Sequence, residues 1–136
     1  MEILTNPRLR LSVLLWLLGV HSFIVGVGMI LLPASQMTFF GLAVVTEKFF
    51  PVQAGVFHFV LALAYILAGK DVDRFHGLVI LTILAKFTAT VFLFTYYFFI
   101  KQAWIILLSG IGDFLMGALV LLAYWAYKKN AELPRQ

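Results

Sequence analysis

Four long apolar stretches dominate the chain, separated by short polar breaks. The first runs from about Leu11 to Leu32 and stops at Pro33. The second spans about Pro51 to Gly69, the third about Gly77 to Ile100, and the fourth about Ala103 to Tyr127. A hydrocarbon core about 30 Å thick needs roughly 20 apolar residues of helix, and each stretch is close to or beyond that length. Backbone groups in hydrocarbon find no water, so such runs predict helices; barrel strands of roughly ten alternating residues do not fit this pattern. Helix breaks are expected at Pro33, Pro51, Gly69-Lys70-Asp71 and Lys101-Gln102. The second and third connections are only a few residues long, which predicts antiparallel neighbours. The expectation is a single all-α domain over 1–136, a four-transmembrane-helix up-down antiparallel bundle.

The first connection, residues 34–50, is longer than the usual span of roughly 4–6 residues. It is also apolar, with Met37, Phe39, Phe40, Leu42, Val44, Val45, Phe49 and Phe50, and with Glu47 and Lys48 as its charges. It is too short and too interrupted for a fifth crossing. An amphipathic interfacial or re-entrant segment is expected, either packed over helix ends or acting as a lid. Arg8 and Arg10 ahead of an apolar run resemble a secretory signal, but the run is longer than a signal's core of roughly 7–15 residues. It also lacks an A-x-A site, so a retained first helix is expected.

Basic residues outside the spans fall unevenly. Arg8, Arg10, Lys70, Arg74, Lys128, Lys129 and Arg135 lie on the side of the termini and second loop; Lys48 and Lys101 lie opposite. The positive-inside rule then predicts both termini in the cytoplasm. Trp104, Tyr96 and Tyr97 at one boundary, and Tyr124, Trp125 and Tyr127 at the other, suit aromatic belts.

Composition agrees with a bilayer as solvent: 63% of residues are hydrophobic and 12% charged, against about 25% charged in soluble domains. The net charge of +4 is scattered at helix ends, which argues against nucleic acid as a partner. The absence of cysteine excludes disulfides, cysteine-ligated metal and thiol redox chemistry. No P-loop, HExxH, GxSxG or strand-borne G-x-G-x-x-G occurs.

The candidate chemistry lies inside the helices, where each ionisable group costs roughly 2.5–3.5 kcal/mol on insertion scales. At 1.5 Å per residue, Lys86 and Asp113 fall roughly 14–15 Å from their entry boundaries, near the midplane. His21 and His58 reach a similar level. Spacing by three or four aligns Thr82, Lys86 and Thr90 on the third helix and Ser109, Asp113 and Gly117 on the fourth. Gly19, Ser22 and Gly26 line the first beside His21; Gly55, His58, Ala62, Tyr65 and Gly69 line the second. Small residues allow close approach and polar ones bond across the gap, so all four faces are expected to meet in one interior. Gln53 either caps the second helix or lines an entrance. His76 reads as interfacial, and Phe87, Phe92, Phe94, Phe98 and Phe99 as lipid contact and core.

A glycine-rich first helix after Arg8 and Arg10 and closing in Pro33, Gln53-x-Gly55, Ala62-x-x-Tyr65, and a short polar turn with Arg74 together resemble the DoxX-like superfamily of small bacterial four-helix membrane proteins. The resemblance covers nearly the whole chain. It implies an accessory membrane role, since some such proteins resemble subunits linked to quinone-coupled sulfur oxidation or oxidative-stress complexes. The missing cysteines separate this chain from thiol-active relatives.

The leading functional expectation is an accessory or binding protein whose interior holds a lipophilic or amphiphilic small molecule, quinone- or lipid-like. Its site would be His21, His58, Lys86, Asp113, Thr82, Thr90, Tyr65 and Gln53. A second expectation is b-type haem held by His21 and His58 for electron transfer, with the nearby glycines making room for the ring. A third is a proton-coupled small transporter, or a membrane enzyme on a lipophilic substrate, using Asp113 and Lys86. A Schiff base on Lys86 with Asp113 as counter-ion is a remoter option, and Lys86–Asp113 as a purely structural pair is the plainest one. A homo-oligomer or larger membrane complex is compatible with the small-residue faces.

Overall fold

A computed structural model of the chain describes residues 6–44 and 46–131; Val45 and Arg135, counted above, lie outside them. Among the described residues the structure is all-helical: α1 (Pro7–Leu31), α2 (Phe49–Lys70), α3 (His76–Phe99) and α4 (Trp104–Ala131), with one short 3₁₀ turn at Ala34–Gln36. All four helices are long and apolar enough to cross a membrane, with mean hydropathy between 1.8 and 2.3. Large apolar side chains such as Phe23, Phe57, Phe92 and Leu122 cover their outer faces, as expected where the surrounding solvent is lipid.

Local chemistry moves three boundaries. α1 starts earlier than its apolar run because Asn6 caps it, its Oδ1 accepting from the N–H groups of Arg8 and Leu9 at 3.1 and 3.2 Å. Pro7 takes the first helical position, where no N–H is needed. Such a cap is worth about 1 kcal/mol. Pro51 does not precede α2, as its breaker character suggests; it lies inside the first turn, where first-turn N–H groups have no intrahelical acceptor. α4 continues past Tyr127 to Ala131, its last turn carrying Lys128 and Lys129, cations that suit the negative end of the helix dipole.

The closest helix packing is of α1 with α2 and of α3 with α4; the contacts of α1 with α4 and of α2 with α3 are sparser. Between α1 and α2 the contacts run in opposite order along the two helices. Gly69 meets Ser12, Leu15 and Trp16; Gly19 meets Ala62 and Ile66; Gly26 meets Gly55 and Phe59. A Cβ on Gly26 would lie 2.8 Å from the Gly55 carbonyl oxygen, so the two backbones touch. The α3–α4 pair is ordered likewise, with Gly117 against Lys86 and Phe87, and Gly110 against Leu93 and Phe94.

Apart from Ala103 and Ile106, buried near the start of α4, the hydrophobic core lies in one half of the molecule. Leu11, Leu15, Leu18, Tyr65, Ala68, Val72, Val79, Ile83 and Val120 form it, with Met116, Ala123, Tyr124 and Tyr127 packed around. All lie toward the end that carries Pro7 and Ala131. That end is also tied by polar contacts. Arg8 bridges Asp73 at 2.8 Å and Asp71 at 3.5 Å, Tyr127 donates to Asp73, and Ser12 donates to the Gly69 carbonyl.

At the opposite end the first connection folds back onto the start of α4. Phe39 and Phe40 pack on the Trp104 indole with ring centroids 5.8 and 5.7 Å away, and Trp104 Nε1–H donates to the Phe39 carbonyl at 2.9 Å. Gly41, at φ +75°, turns the chain against Ala103, a conformation a side chain would strain. Replacing Trp104 by leucine is expected to raise amide exchange about tenfold or more across residues 37–42, as the hydrogen bond and aromatic contacts go. Amides of the Leu11–Leu18 turn should be unaffected; exchange rising in both places would contradict a locally docked loop.

Candidate functional site

Four helices bring polar groups to mid-length, but with unequal roles. Lys86 on α3 and Asp113 on α4 form an ion pair, Nζ to Oδ1 at 2.6 Å. The pair is steered by packing: Gly117, one turn beyond Asp113, lets α4 close onto the Lys86 stem, its absent Cβ falling 3.1 Å from Lys86 Cβ. The ammonium also lies 5.9 Å from the centroid of the buried Tyr65 ring on α2, within cation–π range. Thr82 and Thr90, both buried, spend their hydroxyls on their own helix, donating to the carbonyls of Leu78 and Lys86 at 2.8 Å. They line the site without offering it a free donor.

The pair is lopsided. The Lys86 side chain is 8% exposed and that of Asp113 is 17%, so the carboxylate is the more accessible partner. Asp113 Oδ1 is committed to Lys86, while Oδ2 has no protein donor among the described residues.

His58 on α2 is half-buried and held by Ser22 on α1. Ser22 Oγ lies 3.0 Å from the His58 carbonyl oxygen and 3.1 Å from its Nδ1. A serine hydroxyl has one proton. Satisfying both contacts puts that proton on the carbonyl and makes Nδ1–H the donor to Oγ. The assignment leaves Nε2 as a bare acceptor.

His21 is placed differently from expectation. The buried stripe of α1 is Gly19, Ser22 and Gly26, which faces α2. One residue is about 100° of helix rotation, from 3.6 residues per turn, so Ser22 takes the place at the α1–α2 contact and His21 is turned out of it. His21 is exposed at the chain surface with no hydrogen-bond partner among the described residues. Gln53 is exposed near the start of α2, away from the cluster. The interior brings together Lys86, Asp113 and Tyr65, with Thr82 and Thr90 buried on the same face of α3, while His58 is held at the α1–α2 contact. It adds Ser22, noted in the sequence only as part of a small-residue stripe, and leaves His21 at its edge and Gln53 outside.

The glycines expected to make room for a haem between His21 and His58 do not. Ile66, Phe59, Ile30 and the Gly55 carbonyl occupy the space beside Gly19, Gly26 and Gly55. An iron-bridged pair of imidazoles needs their helices held apart with a planar ring between; here the two backbones touch and His21 is turned out of the α1–α2 contact. These residues do not fit a b-type haem. Among the described residues no group of three or more histidine, aspartate or glutamate side chains could hold a metal ion.

Comparison with known proteins found no matching family model, no similar curated protein and no similar solved structure.

Proposed function

We propose that this chain is a small integral membrane protein of binding or accessory type, whose helices form an up-down antiparallel bundle holding a lipophilic or amphiphilic small molecule, quinone- or lipid-like, at the Lys86–Asp113 cluster. The observation that carries the reading is the lopsided burial of that pair. An ion pair is costly to hold inside a membrane bundle, and this one keeps its carboxylate partly exposed, with Oδ2 free of protein donors among the described residues. Polar groups at the centre would orient the head of such a molecule, and the apolar helix faces would take its tail. The asymmetry of basic residues supports both termini in the cytoplasm and, for a bacterial chain, an inner-membrane location. With that orientation the aromatic segment docked on Trp104 lies at the outer interface, where such side chains partition well. The resemblance to DoxX-like proteins is consistent with an accessory role, and it rests on the motifs quoted above alone.

Native mass spectrometry of protein released gently from its own membranes tests the proposal. The expected result is a species heavier than the 15.3 kDa chain by the mass of one small amphiphile, lost in the Lys86→Met/Asp113→Leu double variant. Wild-type protein that carries no added mass under conditions that preserve bound lipid on a control bundle would overturn it.

A further inference from the structure

Where α1 begins and α2 ends, the two helices leave a cleft of about 190 Å³ between them. Arg8 and Ser12 on α1 face Gly69 and Lys70 on α2 across it, with Leu9 and the buried Val72 also in its wall. Helices of 25 and 22 residues, rising about 1.5 Å per residue, outrun a hydrocarbon core about 30 Å thick. These ends therefore stand at the level of lipid headgroups.

The cleft is cationic. Its walls carry Arg8 and Lys70 and, among the described residues, no carboxylate. Asp71 and Asp73 are nearby but already engaged. Both pair with Arg8 Nη2, at 3.5 and 2.8 Å; Asp71 also accepts from the Arg74 N–H, and Asp73 from Tyr127. These contacts fix one nitrogen of Arg8, and a guanidinium offers several further N–H donors. Lys70 is exposed and has no acidic partner among the described residues.

Toward mid-membrane the same surface becomes apolar. Steps of four from Ser12 lead along α1 to Trp16 and Val20; steps of three and four from Lys70 lead along α2 to Leu67 and Leu63, and all four side chains are exposed. Trp16 joins the two regions, since a Cβ on Gly69 would lie 2.9 Å from its Cδ1. Two cations at the headgroup level, continued by exposed apolar side chains, match a molecule with an anionic head and a hydrocarbon tail. A free anion would use the cations alone. We propose that this cleft binds the phosphate head of an anionic glycerophospholipid, with Lys70 and Arg8 donating to the phosphate oxygens and an acyl chain lying along the α1–α2 seam. The site is separate from the Lys86–Asp113 pair and does not depend on what that pair binds.

The full chain in detergent is titrated with dioleoyl phosphatidylglycerol or dioleoyl phosphatidylcholine, and bound lipid is counted by native mass spectrometry. The first phosphatidylglycerol should bind more tightly than phosphatidylcholine by about tenfold or more, as two basic residues near an anionic head allow. Lys70→Gln should weaken it about fivefold, the effect of one such residue, and Lys70→Arg should restore it. Lys129→Gln removes the same charge at the same end of the molecule, from a side chain stacked on Trp125, and should leave the first lipid in place. The Lys86→Met/Asp113→Leu variant should retain it too. Equal losses in Lys70→Gln and Lys129→Gln would show diffuse attraction and overturn the cleft, as would equal binding of the two lipids. Loss of the lipid in Lys86→Met/Asp113→Leu would put it at mid-membrane and overturn the cleft as well. Displacement by sodium phosphate at matched ionic strength would make the occupant a free anion and overturn the lipid assignment.

Discussion

Asp113→Asn is expected to lower stability by about 3–5 kcal/mol, because it strands the Lys86 ammonium in the protein interior without its counter-charge. Lys86 is buried, makes its one hydrogen bond among the described residues to Asp113, and lies over the Tyr65 ring with Gly117 closing on its stem. Asparagine keeps the shape and one acceptor, so the loss measures the charge and not the volume. The double variant Lys86→Met/Asp113→Leu removes both charges and keeps similar bulk; it should recover most of the loss and can exceed wild type, as apolar replacements of buried pairs often do. Thermal and denaturant unfolding in one detergent, followed by circular dichroism, reads all three proteins. Equal damage in the single and double variants would show that the helix faces, and not the pairing, set the stability there. Recovery of stability together with loss of the bound mass would separate what the pair does for ligand from what it does for folding.

Much of this arrangement was legible in the sequence, and the limits of legibility have physical causes. The four spans follow from apolar length, since hydrocarbon admits few alternatives. The coming together of Lys86 and Asp113 follows from depth alone: two opposite charges at one level of a four-helix chain have few other partners. Helix phase is harder to read. The small-residue stripe expected on α1, Gly19, Ser22 and Gly26, is the buried one, and the close packing of Gly19 and Gly26 on α2 turns neighbouring His21 out; on α4 the expected line is off phase, with Ser109 exposed and the buried positions running through Ile106, Gly110, Gly117 and Val120. The helix boundaries missed at Asn6 and Pro51 are cap and first-turn effects worth about 1 kcal/mol, small beside the apolar pattern that dominates the reading. Docking of Phe39 and Phe40 onto Trp104 joins residues far apart in sequence with no spacing to announce it. Gly26 and Gly28 look alike in the chain; one is in backbone contact and the other faces open space.

That difference makes a sharp test of how the molecule is held together. Gly26→Val is expected to destabilise by about 2–3 kcal/mol or prevent folding, since small-to-large changes at close-packed sites force the surroundings apart. The obstacle is a backbone: the new Cβ would lie 2.8 Å from the Gly55 carbonyl oxygen and 2.7 Å from the Phe59 ring, and a carbonyl moves only if its helix moves. Gly26→Ala already places that Cβ and should cost about 1 kcal/mol or more even after its better helix propensity is counted. Gly28→Ala and Gly112→Ala, with nothing in the way, should be neutral or stabilising by up to about 1 kcal/mol. Unfolding midpoints in a single detergent distinguish the sites, and equal effects at Gly26 and Gly28 would refute backbone contact as the link between α1 and α2. A further consequence follows from the Ser22–His58 bond, which lies one turn from Gly26 on the same contact. Separating the helices there lengthens it first, so Gly26→Ala should release His58 and change its imidazole NMR signals, while Gly28→Ala leaves them in place.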